Sequence, residues 1–265
     1  MPSFREIQLQ VESIYSADQA REQLNNLVDF CIESSSDYEQ DLRIISNMRK
    51  LPIETLKEHK VFFIDEGMFT SDNFKDEFKD EALGFWRRSY CVFDGRVVYP
   101  VFDVRKNVMG FVGWDKFELP KYLDSKNQGY KAKNTTLYGM EKIHEYYSSR
   151  EPVFFTEGIV CALYLRSKGF NAMATLGSHL TPYVLTIIKR FGHRAVIIPD
   201  NDTAGESFVR QAKTHLREAT VIQPTIAKDV DDSRLKDNGK YEAALIKELK
   251  EIENPYLRRE VFRVR

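Results

Sequence analysis

Cysteine is scarce in this chain of 265 residues: Cys31, Cys91 and Cys161 are odd in number and far apart. That excludes a disulfide framework and suits a reducing compartment. No Cys-x-x-Cys pair and no His/Cys cluster occurs, so a structural zinc site has no ligand set to draw on. Long hydrophobic runs are also missing. With no stretch of about 18 apolar residues, no membrane-spanning helix is expected. The opening Met-Pro-Ser-Phe-Arg-Glu lacks the apolar core of a secretory signal, and the expectation is a cytoplasmic protein. Net charge is −1, so there is no global basic signature for nucleic acid. Internal repeats and low-complexity segments are absent.

What is present is an ordinary globular composition, 42% hydrophobic and 30% charged, long enough for one large domain or two small ones. Charge is unevenly spread. Between Arg87 and Lys142 there are eleven Lys/Arg against six Asp/Glu, whereas acids in the second half concentrate at a few loop positions. Such zoning fits a protein that holds a polyanion on one surface and metal ions on another. A solvated basic face would give the same count, and charge alone does not separate the two.

Residues 1–50 read as helical. Ala20, Leu24, Leu27, Val28 and Cys31 recur close to a 3.6-residue period. A loop follows at 34–37, and Leu51-Pro-Ile-Glu-Thr-Leu opens a short helix with its proline at the boundary. From about 60 to 140 the pattern turns to β-rich runs at 96–102 and 108–114, joined by a hairpin turn at 103–107. Residues 116–137 are polar, basic and loop-like. From 151 to 227 strands alternate with helices, which implies parallel βαβ units. The expected strands lie near 152–156, 171–176, 194–199 and 220–223. Pro199 must fall at its strand's end, because it donates no ladder hydrogen bond. A last amphipathic helix spans 240–252. The segments expected are therefore 1–50 helical, 51–150 basic α+β, 151–232 parallel α/β, and 233–265 a helical tail.

The densest information lies in Ala195-Val-Ile-Ile-Pro-Asp-Asn-Asp-Thr-Ala-Gly205. An apolar strand here delivers Asp200 and Asp202 to its carboxyl end, where open α/β sheets bind ligands. Two carboxylates on a loop held by a rigid strand can share a hard divalent cation. An aspartate capping the next helix is the ordinary alternative. Glu157-Gly158 ends the first strand of the same region, and Asp229 and Asp231 follow the fourth. In a parallel sheet these loops open on one edge, so acids from three segments would converge.

These residues resemble the TOPRIM domain shared by type IA and II topoisomerases, DnaG-type primases, recombination proteins and some nucleases. Upstream stretches narrow the likeness to the DnaG-type primases. Residues 96–113 resemble a primase stretch that reads Arg-Val-x-Phe-Pro-Ile-x-Asp and ends in Gly-Phe-x-Gly. Pro120-Lys-Tyr-Leu-Asp-Ser125 is similar to Pro-Lys-Tyr-Leu-Asn-Ser, and residues 133–140 match Lys-x-x-x-Leu-Tyr-Gly-Leu. Ala174-Thr-Leu-Gly177-Ser is similar to the primase Ser-Leu-Gly-Thr segment. The likeness covers roughly residues 45–235. It implies an α/β fold with a TOPRIM parallel-sheet core, an N-terminal basic α+β subdomain and helical ends.

The resemblance further implies a DNA primase core that makes short RNA primers on single-stranded DNA from nucleoside triphosphates with Mg²⁺ or Mn²⁺, two or more ions. Glu157, Asp200 and Asp202 are the implied catalytic residues. The implied metal ligands are Glu157, Asp200, Asp202, Asp229 and Asp231, with Glu157 alternatively a general base. Arg96, Lys121, Lys131, Lys133 and Gly177 map onto nucleotide- or template-binding positions, Gly177 also suiting a tight turn. Two positions depart from the pattern. Cys161 stands where many relatives place an acid, and Trp114 where bacterial primases often place Arg. Zinc-binding and helicase-binding domains are not found, which suggests a phage or plasmid type acting in a bacterial cytoplasm with a replicative helicase or a separate zinc protein. A TOPRIM nuclease and an inactive replication adaptor are the alternatives.

Overall fold

The computed structural model describes residues 4–125, 136–222, 229–231 and 240–253. The chain folds as two units, residues 1–132 and 133–265.

The first unit opens with helices α1 (Phe4–Glu33), α2 (Tyr38–Arg49) and α3 (Ile53–Glu58). Asp37 caps α2 by accepting the Gln40 N–H at 3.0 Å, as a short side chain at a helix start does. A four-stranded antiparallel sheet follows, ordered β1-β4-β5-β6. Its strands are β1 (Phe62–Phe63), β4 (Val97–Phe102), β5 (Val108–Trp114) and β6 (Tyr122–Asp124). A separate ribbon pairs β2 (Trp86–Arg87) with β3 (Tyr90–Cys91). β4 and β5 are buried along their whole length, which is why both read as continuous apolar runs. Pro100 is tolerated inside β4 because β1 pairs only with Val97 and Val98, leaving β4 at an edge beyond them. The predicted hairpin turn is real: Asp103 accepts the Asn107 N–H with its side chain and donates its own N–H to the Asn107 carbonyl, both at 2.9 Å. Leu24, Leu27, Val28 and Cys31 of α1 enter a core rich in phenylalanine, including Phe62, Phe78, Phe85, Phe93 and Phe111. The short strand β6 was not anticipated. Its three residues lie in a polar stretch and gain their order from β5.

The second unit is a parallel sheet ordered β10-β9-β7-β8. The elements run α4 (Ile143–Ser149), β7 (Val153–Thr156), α5 (Ile159–Ser167), β8 (Ala172–Ala174), α6 (Pro182–Lys189), β9 (Ala195–Ile198), α7 (Thr203–His215), β10 (Thr220–Val221) and α8 (Lys240–Glu253). β7 and β9 are wholly buried and adjacent, with Thr156 opposite Ile198. Pro199 falls just past β9, where its missing N–H disturbs no ladder. Tyr138 forms a reciprocal antiparallel bridge to Ala174, which ties the 136–142 segment to the sheet. α8 docks on α5 through Tyr164 and Lys168, both of which reach the Glu242 carboxylate.

Candidate active site

Strand order decides where the acids go. Because β7 and β9 are parallel neighbours in register, their carboxyl ends, Glu157 and Asp200, emerge side by side. Glu157 is 7% exposed, and its Oε1 accepts the Asp200 N–H at 3.1 Å. A carboxylate buried to this degree requires such partners, and this one fixes the Glu157 head against the end of β9.

Asp202 takes the capping role open to it in the sequence. Its Oδ1 accepts the Gly205 N–H at 3.0 Å, so it stands at the start of α7. Capping engages one carboxylate oxygen of two. Gly205 has a steric duty as well, since a Cβ there would lie 1.7 Å from the Asp200 carbonyl oxygen. The 200–205 turn folds back on itself so closely that only glycine fits, and this holds Asp200 and Asp202 in one short arc.

Asp229 and Asp231 approach from the segment after β10. Cys161, in the first turn of α5, reports their position. Burial drives its thiol well above the ordinary range; the negative charges of Asp229, Asp200 and Asp231 push the same way, and a hydrogen bond to the Asp231 backbone opposes them. Acids from two separate segments therefore act on one buried side chain, four residues from Glu157. No group of three or more His, Cys, Asp or Glu side chains among the described residues is already gathered into a metal cage. The donor set is nevertheless all hard carboxylate oxygen, which is the chemistry Mg²⁺ and Mn²⁺ select.

Gly177 lies on the loop after β8, with φ of 132°, a left-handed conformation suited to glycine. Its N–H reaches the Glu157 carbonyl at 3.2 Å, and Thr175 bonds the Thr156 carbonyl. The loop is thus laced to the end of β7, beside the acids.

The basic candidates divide. Lys121 is exposed in the first unit. Arg96 is buried, its guanidinium donating to the Pro120 carbonyl at 3.0 Å and lying 3.8 Å from the Glu118 carboxylate. Lys131 and Lys133 lie outside the described residues. Trp114 is covered by the guanidinium of Arg49, 4.1 Å from its ring centre, and Arg49 also donates to the Tyr122 hydroxyl at 3.2 Å. Neither the Arg49 contact nor the Arg96 brace was legible beforehand, because each joins residues more than 20 positions apart.

The second unit is thus a Toprim-like α/β domain with a carboxylate edge, and the first is a mixed domain built on an antiparallel sheet. Comparison with known proteins agrees. Residues 38–144 match the DNA primase catalytic core, N-terminal domain, and residues 154–234 match the Toprim-like family. The chain thus resembles, in two consecutive parts, a primase catalytic-core domain followed by a Toprim-like domain. The DNA primase of Clostridium acetobutylicum is 34% identical over 157 residues, covering 57% of this chain and 26% of the relative. That of Helicobacter pylori strain 26695 is 31% identical over 132 residues, covering 49% and 24%. The chain spans about a quarter of the length of these curated relatives. Among solved structures, the DnaG primase catalytic domain bound to ssDNA aligns with a TM-score of 0.71 at 20% identity, covering 89% of this chain and 80% of the other. The RNA polymerase domain of Mycobacterium tuberculosis primase DnaG aligns with a TM-score of 0.70 at 18% identity, covering 89% and 82%.

Proposed function

We propose that this chain is the polymerase core of a DNA primase, which joins ribonucleotides into short primers on a single-stranded DNA template. The observation that carries the reading is the meeting of Glu157 and Asp200 at adjacent strand ends of a Toprim-like domain that follows a primase-core domain. The primase-core match favours polymerisation over the nuclease alternative, since cleavage has no need of that domain.

In the proposed reaction a 3′-hydroxyl oxygen attacks the α-phosphorus of a nucleoside triphosphate, and the bond to pyrophosphate breaks. Charge grows on phosphoryl oxygens, so positioning and electrostatics supply most of the acceleration. Glu157, Asp200, Asp202, Asp229 and Asp231 would hold the divalent cations, Mg²⁺ or Mn²⁺. Such ions neutralise the attacking and leaving oxygens when bound. Two duties are open to Glu157: an oxygen ligand, or acceptor of the hydroxyl proton. Glu157→Gln separates them, as the first predicts weaker cation binding and the second a changed pH–rate profile. Lys121, Lys131, Lys133 and Gly177 are proposed to contact nucleotide or template. A replicative helicase or a separate zinc-binding protein would direct the core to its start sites.

The test bypasses initiation. A preformed RNA primer on a DNA template is supplied with ribonucleotides and Mg²⁺ or Mn²⁺. Primer extension is expected, and Asp200→Ala should lower it by about 100-fold or more with the melting temperature retained. Cleavage of labelled template without extension would establish the nuclease instead. Equal extension by Asp200→Ala would place the chemistry elsewhere.

A further inference from the structure

Two large apolar side chains stand apart from all others. Phe117 is 86% exposed and Leu119 84%, whereas the remaining exposed large hydrophobics among the described residues lie between 36% and 51%. Single exposed apolar residues are unremarkable, but two of this exposure, two positions apart on one structured turn, call for an account.

The turn that carries them is built for display. The Asp115 N–H donates to the Lys121 carbonyl at 2.9 Å, closing residues 115–121 into a loop between β5 and β6. From within, the Asp115 carboxylate accepts the N–H groups of Phe117 and Glu118, at 2.5 and 2.9 Å. From below, buried Arg96 grips the Pro120 carbonyl and draws in the Glu118 carboxylate. The inward polar groups are therefore satisfied by the loop's own base, while the two apolar tips are held out in water. Lys116 places its ammonium 5.2 Å from the Phe117 ring centre, and Lys121 stands exposed at the other end of the loop.

An aromatic and an aliphatic side chain between two cations complement a ligand that offers flat apolar faces joined by negative charges, which is single-stranded nucleic acid. We propose that residues 115–121 form a preset stacking wedge for unpaired template bases, with Phe117 and Leu119 against base faces and Lys116 and Lys121 at flanking phosphates. Arg96 is then a positioning residue, acting through Pro120 rather than touching the strand. This rests on the primase reading, because it names a template contact for that activity.

The experiment measures binding of a fluorescent single-stranded DNA oligomer by anisotropy over a salt series. Phe117→Ala/Leu119→Ala should weaken binding about tenfold, the loss typical of removing base stacking, with an unchanged salt slope and melting temperature. Lys116→Gln/Lys121→Gln should instead flatten the slope of log affinity against log salt by about 1.4, at about 0.7 per phosphate contact. Arg96→Met should reproduce the stacking loss, and leave the slope alone. Unaltered affinity in Phe117→Ala/Leu119→Ala would overturn the wedge while leaving primer extension, and hence the primase reading, standing. A stacking loss in Phe117→Ala/Leu119→Ala without any primer extension by the wild type would overturn the primase reading and, with it, the template role of the loop, leaving only a single-strand contact. A double variant that changes only self-association would make the loop a protein contact and also overturn the proposal.

Discussion

At the scale of single residues, Gly205 and Asp115 each hold one loop in its shape. Gly205 is small because the Asp200 backbone passes through the space a Cβ would fill. Gly205→Ala must push that backbone aside, at roughly 1–3 kcal/mol of stability by analogy with overpacked cores. Asp200 would shift with it. The expected result is a lower denaturation midpoint together with weaker Mn²⁺ binding, whereas an exposed Ala204→Gly control should alter stability and leave cation affinity in place. Asp115 presents a different case. The hydrogen bond from the Glu118 N–H, helped by that from Phe117 and by the Arg96 charge, holds its carboxyl below the ordinary range, although burial opposes it more strongly than the Phe117 bond alone supports it. A depressed carboxyl stabilises the folded loop fully above its unfolded value, about 3.9, and that contribution fades as pH falls through the lowered one. Carboxyl NMR should accordingly place the Asp115 midpoint below that of an unstructured aspartate. A normal midpoint would mean the loop is not braced as described.

At the scale of elements, α5 is the hub of the second unit. Its Arg166 side chain is largely covered, donates to the Ala172 and Gly139 carbonyls at 2.8 and 3.1 Å, and pairs with Glu141 at 2.9 Å. Both partners are about nine-tenths hidden, so removing one strands the other. Arg166→Leu should cost about 3–5 kcal/mol in chemical denaturation, and the pair of changes Arg166→Leu/Glu141→Leu clearly less than twice that. A loss below about 1 kcal/mol would mark the pair as no better than a surface contact. The elements also show what a sequence can carry. Leu24, Leu27, Val28 and Cys31 announced the buried stripe of α1, and Pro199 announced the end of β9, because periodicity and proline chemistry are local. Asp200 and Glu157 could be placed together because parallel strands send their carboxyl ends to one edge. The Arg166–Glu141 pair, Arg49 on Trp114 and Arg96 beneath Pro120 could not, since each depends on which distant segments pack. Phe117 and Leu119 were visible as apolar letters in a polar stretch, but nothing local says that such letters remain in water.

At the scale of the whole molecule, the two units divide the labour proposed for them. The first carries most of the basic stretch of residues 87–142 and the displayed loop; the second carries its end and the carboxylate edge. Each has its own core, so variants in one should leave the other folded, a separation that differential scanning calorimetry of Arg166→Leu can examine through the shape of the transition. No helix among the described residues is long and apolar enough to cross a membrane.

Central to all of this is the claim that Glu157, Asp200 and the Asp229–Asp231 segment serve one divalent-cation site. Mn²⁺ titration followed by electron paramagnetic resonance tests it most directly, using the wild-type chain, Asp200→Asn, Asp229→Asn and the double substitution. The account predicts that each single change weakens binding of the same ion and that the double change costs less than the product of the two. Independent losses that multiply, or Mn²⁺ binding untouched by either change, would contradict it.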